Sequence, residues 1–385
     1  MLTLKPLAFA VMISVAGTTL AANHNATQTQ DGNNNEVTLD QSGEGNTATQ
    51  TQTGNANRSF IVQNGNTNTA ETVQKGFGHQ VDVNQSGDNN AASVYQQPVY
   101  DTSEVEHYAS VTQLGDSNST TLNQQGSYYS SRSTVYQEGS NNASEIQQGT
   151  IYGASDLNVS MVGNHNRLAV NQGDYVSAQT SQTGENNQIT LNQSGGSEEI
   201  RSSINQYGNE NVAETSQSAG RYGFNNLSLS QNGNTNTASI NQGGGFASLN
   251  FSQQGDGNQA TIYQGTINGG LNGTSSGNNN TVEISQGGYV TRMDLWQEGD
   301  GNIAKLDQGA DNSYADVDQI GSSNEITLSQ TASESTNMAG SSATVKQDGL
   351  GNIINISQNQ STPVPGDSVT VTQRGIGNIA SIHQQ

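Results

Sequence analysis

The sequence predicts an all-β chain, a two-sheet parallel β-solenoid of about 15 strand–turn–strand coils. Three observations carry this reading. Fixed columns of Gln, Gly and Asn recur along the chain at spacings mostly of 21–28 residues, with 22 the commonest. Such a period marks a solenoid or an array. On either side of each Gly–Asn turn the apolar residues alternate with period two, as strands do and helices do not. The composition is too polar for a conventional globular core: hydrophobic residues make up 30% and the mean hydropathy is −0.68. Composition alone would read as low-complexity disorder, and the fixed columns overturn that reading.

Full units begin at Gln41, Gln63, Gln85, Gln113, Gln137, Met161, Gln182, Gln206, Gln231, Gln253, Ser275, Gln297, Gln319, Gln347 and Gln373. Two residues after every start stands Gly, five after stands Asn, and eleven after stands Gln.

In chain order, Lys5, the apolar run over residues 7–20 and the small residues Ala21 and Ala22 read as a secretory signal peptide over residues 1–22. The run is short for a membrane span. Cleavage there removes only Lys5 among the charges and leaves the mature chain at −23, against −22 for the whole. Residues 23–29 read as a short lead outside the repeats. A half-unit follows (Gln30, Gly32, Asn35, Val37, Gln41), and the solenoid is expected over residues 30–385. Around Gln297 one strand is expected over residues 292–297, with Met293, Leu295 and Gln297 on one face. The turn is expected over 298–302. A second strand over 303–308 puts Ala304, Leu306 and Gln308 on the matching face. Gly and Asn suit the turn because both tolerate positive φ. The second turn of each unit varies: it copies the first in Gly54 with Asn57 and in Gly76 with His79, then lengthens. Pro98, Pro363 and Pro365 are all expected in second turns, since a ladder strand has no place for proline. The first coil is expected to open at Gln30 and the last strand to stop one residue before Gln385, with neither edge blunted.

One coil cannot order itself. Its four apolar side chains supply roughly 5–8 kcal/mol by burial, against roughly 30 kcal/mol for ordering 22 residues. Stability must come from stacking, and stacked amides can bond along the axis in an amyloid-like ladder. Gln41, Gln52, Gln63, Gln74, Gln85, Gln96, Gln297, Gln308, Gln373 and Gln384 are expected in such ladders. Gly43 with Asn46, Gly299 with Asn302, and Gly375 with Asn378 are expected to make turns. Acidic turn residues (Glu44, Asp88, Asp116, Glu185, Asp256 and Asp300) are candidate gatekeepers whose mutual repulsion delays premature assembly.

The net charge of −22, with 11 scattered basic residues, argues against nucleic acid and anionic membranes as partners. The chain has no Cys and shows no metal-ligand spacing among its 5 His, so neither a metal nor a cofactor is expected. Residues 273–277 match a serine nucleophile elbow around Ser275, but Ser275 falls in the Gln column and no helix follows. Residues 255–260 match a dinucleotide fingerprint, again inside the repeat rather than before a helix. No enzymatic activity is expected.

The unit resembles the curlin repeat, S-x5-Q-x-G-x2-N-x-A-x3-Q, of the subunits of curli, the extracellular amyloid fibres of bacteria. The resemblance covers about residues 30–385, and the last unit, over 369–385, is most similar to the terminal repeat of a major fibre subunit. The repeat number is unusually large, the Ser of the motif is kept only in places such as Ser131, Ser155, Ser313 and Ser341, and the Ala column is Ala in eight units. The resemblance implies a secreted structural subunit that polymerises with itself into cell-surface fibres for adhesion and biofilm matrix. It also implies a minor nucleator curlin, an outer-membrane secretion channel and periplasmic chaperones as partners. Two alternatives stay open at this point. One is the nucleator subunit, suggested by the eleven-residue pattern from Gln30 to Gln96. The other is a monomeric β-solenoid adhesin or ice-binding protein, for which the mixed outward column of Thr, Glu, Ser, Lys and Asn is a poor match.

Overall fold

The computed structural model describes residues 23–98, 105–126, 128–195, 199–218, 223–332, 340–360 and 367–384. The expected signal peptide, Pro363 and Pro365 lie outside the described residues. The chain divides into two compact units, Met1–Asn186 and Asn187–Gln385.

The first unit holds β1 (Asn25–Asp31), β2 (Glu36–Glu44), β3 (Thr47–Asn55), β4 (Arg58–Asn66), β5 (Thr69–Phe77), β6 (Gln80–Ser86) and β7 (Ala91–Pro98). It continues with β8 (Tyr108–Leu114), β9 (Ser119–Gly126), β10 (Ser131–Glu138), β11 (Ala143–Thr150), β12 (Ser155–Asn164), β13 (Arg167–Gln172) and β14 (Val176–Glu185). Odd strands follow one another in one sheet and even strands in the other. The pairings are parallel and keep the sequence columns in register: Gln30 faces Gln52, and Gln41 faces Gln63.

The second unit is built the same way. It holds β15 (Gln188–Ser194), β16 (Ile200–Tyr207), β17 (Val212–Ser218), β18 (Asn225–Asn232), β19 (Thr237–Gln242), β20 (Ala247–Gln254), β21 (Gln259–Gln264), β22 (Gly270–Ser276) and β23 (Thr281–Gln286). It continues with β24 (Arg292–Glu298), β25 (Ile303–Gln308), β26 (Tyr314–Ser322), β27 (Glu325–Ala332), β28 (Ser342–Leu350), β29 (Ile353–Gln360), β30 (Ser368–Ile376) and β31 (Ile379–Gln384). Odd and even strands again form separate parallel sheets.

The described residues are thus all-β, in two parallel sheets wound as a solenoid of about 15 coils. Why these residues form strands is visible in β24 and β25, where alternate side chains (Met293, Leu295, Gln297, then Ala304, Leu306, Gln308) are buried and the rest face out. The core is one residue deep on each sheet, with columns such as Leu39–Ile61–Val83 and Leu295–Val317–Val345. Volume is traded between neighbours: Gly273 pairs with Phe251, whose ring occupies the space a side chain at 273 would need.

Inserted residues do not disturb register. Gln85 still faces Gln113 across a 28-residue step, because the extra length is taken up between β7 and β8. Two expectations are corrected. Residues 25–29, expected as a lead, belong to β1, with Asn25 facing Thr47. Pro98, expected in a turn, is the last residue of β7 and faces Gly126. A strand's final position tolerates a residue without an N–H.

Candidate functional site

The chain's chemistry lies in columns rather than in a pocket. Each start Gln lies in the second half of an even strand and points inward. Gln41 Nε2 donates to Gln63 Oε1 at 2.7 Å, and Gln63 to Gln85 at 2.8 Å. On the odd sheet Gln52 donates to Gln74 at 2.8 Å and Gln74 to Gln96 at 3.0 Å. In the second unit Gln297 donates to Gln319 at 2.8 Å, Gln308 to Gln330 at 3.1 Å, Gln347 to Gln373 at 3.3 Å and Gln358 to Gln384 at 2.9 Å. Each of these bonds runs from the earlier coil's N–H to the later coil's oxygen.

The same Nε2 makes a second bond to the first residue of a strand in the opposite sheet. Gln52 reaches the Glu36 carbonyl at 2.9 Å and Gln308 the Arg292 carbonyl at 3.2 Å. One amide therefore joins coil to coil and sheet to sheet. Inner members are fully buried, where an unpaired amide would cost about 1–3 kcal/mol. Met161 and Ser275 interrupt the even-strand column. Ser275 is buried in β22 and donates its hydroxyl to Gln297 Oε1 at 2.8 Å, so it is a shortened ladder member rather than an exposed nucleophile.

The Asn column runs the other way. Asn68 N and Nδ2 donate to Asn46 Oδ1 at 2.9 and 3.2 Å, while Asn46 Nδ2 donates to the carbonyls of Gly65 and Ser42 at 2.8 and 2.9 Å. Asn302 repeats this: its N donates to Asn280 Oδ1 at 2.9 Å and its Nδ2 to Gly321 O at 2.8 Å. At the last turn Asn378 N donates to Asn352 Oδ1 at 2.9 Å, and its Nδ2 turns back to Arg374 O at 3.0 Å.

The expected reason for Asn in the turn is corrected here. Asn46, Asn302 and Asn378 are not at positive φ. The left-handed residue is the one before, carried by Gly45, Gly301 and Gly377 and elsewhere by Thr67, Asn89, Ser117 and Glu210. Asn is in the column because its amide satisfies backbone groups of two turns. Gly43, Gly299 and Gly375 do need glycine, with φ of 101°, 108° and 116°. A Cβ on Gly299 would also collide with the Gly321 carbonyl oxygen.

The acidic residues lie one position after that glycine. Asp88 Oδ1 accepts from Asn66 N at 2.8 Å, Asp116 Oδ1 from Asp88 N at 2.9 Å, and Asp256 Oδ1 from Asn234 N at 2.7 Å. Asp300 Oδ1 accepts from Asn278 N at 2.8 Å, and Glu185 Oε1 accepts from Asn164 Nδ2 at 3.3 Å. Glu44 takes part through its backbone, donating to Asn66 Oδ1 at 3.1 Å. These carboxylates are bonded into the turns and mostly alternate with Asn. Asp88 and Asp116 form the one directly stacked acidic pair among the six.

Sequence reasoning placed His79 with Gly76 in a second turn but missed its partner His107 and their stacking. His79 and His107 occupy the Asn column of the second turn, with rings stacked at a centroid distance of 4.9 Å. His79 N donates to Asn57 Oδ1 at 3.1 Å, His79 Nε2 bonds Lys75 O at 2.8 Å, and His107 N donates to His79 Nδ1 at 3.1 Å. In both rings Nδ1 replaces the Asn oxygen, accepting from His107 N and from Ser131 N, and in His79 Nε2–H also replaces the amide. Both rings are held neutral: burial lowers His79 to about 4, and burial together with the neighbouring His79 lowers His107 to about 3. The signal was present, since His79 follows Gly76 at the distance Asn57 follows Gly54.

A family model described as the curlin associated repeat matches residues 32–65 and 65–97. Residues 32–97 carry two curlin repeats. Those stretches contain the Gln ladder, the positive-φ Gly and the buried Asn just described. The same three columns of the curlin repeat continue through the second unit to Gln384. No curated protein matches the chain in sequence.

Proposed function

We propose that this chain is a secreted structural subunit that polymerises end to end into extracellular curli-like amyloid fibres serving adhesion and biofilm matrix. The observation that supports this best is the in-register parallel ladder, whose outermost members carry the same Gln, Gly and Asn columns as the inner ones. An edge of that kind templates the next strand. The match to the curlin repeat supports a curli-type subunit with a structural rather than an enzymatic role.

Within this reading the ten Gln residues named above form the amyloid core and Gly43, Asn46, Gly299, Asn302, Gly375 and Asn378 set its turns. The acidic turn residues act as gatekeepers: they accept turn N–H bonds in the ordered state and repel one another in the unassembled chain. Residues 1–22 are read as the signal that exports the chain. A nucleator curlin, an outer-membrane channel and periplasmic chaperones are the partners that the family supplies, and nucleic acid is not one.

Purified mature chain tests the reading. It should pass from soluble to fibrous after a lag that preformed fibre seeds abolish. A chain that stays monomeric for days at high concentration with seeds present contradicts it.

A further inference from the structure

The second turns change chemistry after His107. The buried column that Asn57, His79 and His107 fill continues as Ser131 and Ser155, whose hydroxyls meet only at 3.4 Å, and then as Val176. Neither a side-chain amide nor an imidazole ties these last three coils together at that column. Two tyrosine pairs sit beside it instead. Tyr128 and Tyr152 have ring centroids 6.3 Å apart and planes 11° from parallel, so they meet face to face. Tyr129 and Tyr175 are 6.2 Å apart, with planes tilted by 49°. This second pair skips a coil. The Tyr175 ring reaches back across Gly153, where a Cβ would collide with it. Asp174 holds the intervening turn in place, its Oδ1 accepting from Tyr152 N at 3.0 Å and from Gly153 N at 3.2 Å.

We infer that Tyr129 and Tyr175 form an oxidative cross-linking site, at which hydrogen peroxide, acting through a haem peroxidase, joins the two rings as dityrosine. Each phenol gives up one electron and one proton. The two phenoxyl radicals join through carbons ortho to oxygen, one carbon–carbon bond forms, and the hydrogen on each of those carbons moves to its oxygen to restore the phenol. The chain loses two hydrogens. One hydrogen peroxide takes up the two electrons and two protons and leaves as two waters.

Geometry selects this pair. Coupling needs the hydroxyl-bearing edges of the rings together, and the two phenols share a hydrogen bond there. Lost hydration, the neighbouring Tyr129 phenol, that hydrogen bond and the charge of Asp174 raise Tyr175 above its usual pKa, so it releases its proton only together with its electron. Joined rings are twisted about the new bond, which the tilt of Tyr129 and Tyr175 approaches and the parallel stack of Tyr128 and Tyr152 does not. Tyr129 is 47% exposed and within reach of a diffusing oxidant. Tyr207 and Tyr263 are as exposed, but neither has an aromatic ring beside it among the described residues. The chain has no Cys and so no disulfide. A bond from Tyr129 to Tyr175 encloses β10 to β13 and constrains the unfolded chain as a disulfide does.

The folded full chain, mixed with an equal amount of heavy-nitrogen-labelled chain at low concentration and treated with hydrogen peroxide and a haem peroxidase, tests the site. Digestion and mass spectrometry should give a linked peptide pair holding Tyr129 and Tyr175, lighter by two hydrogens, with both halves from one chain. Tyr129→Phe and Tyr175→Phe keep the rings and should each lose that link, while Tyr128→Phe and Tyr263→Phe should keep it. The same treatment in denaturant should scatter coupling over other tyrosines. Treated wild type should unfold at a higher denaturant concentration than untreated, and Tyr175→Phe should show no such rise. Links that mix labelled with unlabelled chain, that join Tyr128 to Tyr152 instead, that survive in Tyr175→Phe or that form equally in denaturant would each overturn the site. A wild type that yields no dityrosine would do the same. None of these readouts depends on fibre growth.

Discussion

Replacing Gln308 by Glu keeps the shape of the side chain and changes one atom of the ladder. In the wild type, Gln308 Oε1 accepts from Gln286 Nε2 at 3.0 Å, and Nε2 donates to Gln330 Oε1 at 3.1 Å and to the Arg292 carbonyl at 3.2 Å. With a carboxylate, the first bond survives and both donor contacts become oxygen against oxygen. All three glutamines are fully buried. An ionised carboxylate there is an uncompensated buried charge costing roughly 3–5 kcal/mol. Gln308→Met, a residue the even-strand column accepts at Met161, removes the donor without adding charge and costs about 1–3 kcal/mol for the stranded Gln330 oxygen. Burial raises a carboxyl pKa, so acid should protonate Glu at 308 and give Gln330 a donor again. Denaturant unfolding followed by circular dichroism at pH 7 and pH 4.5, each against wild type, reads this. The Glu variant should be weaker than the Met variant at pH 7 and recover at pH 4.5. A Glu variant within about 0.5 kcal/mol of wild type at pH 7, the scatter of neutral surface changes, or one with equal losses at both pH values, refutes the ladder.

Three further outcomes are expected. Burial lowers His79 and His107 from 6.5 to about 4 and about 3, so between pH 6.5 and those values the unfolded chain holds protons that the folded chain does not. Stability is full above pH 6.5 and is lost as pH falls toward 4, by about 3 kcal/mol for His79; the double variant His79→Asn, His107→Asn should flatten the denaturation midpoint from pH 7 to 4.5. Gly299→Ala should cost more than about 2 kcal/mol, because it combines φ of 108° with a carbonyl collision, whereas Gly301→Asn at φ 64° should cost less than about 1 kcal/mol, and thermal or denaturant midpoints compare the two. Asp300→Asn keeps the acceptor for Asn278 N and should shorten the assembly lag without loss of stability, while Asp300→Ala should shorten the lag and also destabilise by about 1 kcal/mol, read by dye-binding kinetics and denaturation together.

The solenoid was legible because its columns are both periodic and in register: a parallel stack puts like on like, so repetition in sequence becomes contact in space. Four things were not legible. Asn302 and Asn46 read as turn residues tolerant of positive φ, since sequence separates a left-handed position from its neighbour poorly when Gly, Asn and Ser crowd both. The bond from Gln308 to Arg292 O crosses between sheets and has no periodic signature of its own. Residues 25–29 look unpatterned because β1 presents Ala26, Gln28 and Gln30 inward, a column too polar to announce a strand until Gln28 is seen donating to Gln50 at 3.1 Å. The acidic turn residues were read by charge alone, and only geometry shows that Asp88, Asp256 and Asp300 each accept a backbone N–H.

X-ray diffraction from aligned assemblies of the mature chain tests the central claim most directly. If subunits extend one another's ladders, the strand spacing near ~4.7–4.8 Å must lie on the meridian, parallel to the fibre axis, with the sheet spacing near ~10 Å on the equator. Fibres whose ~4.7 Å reflection falls on the equator, or a chain that yields no fibres to align, would contradict it.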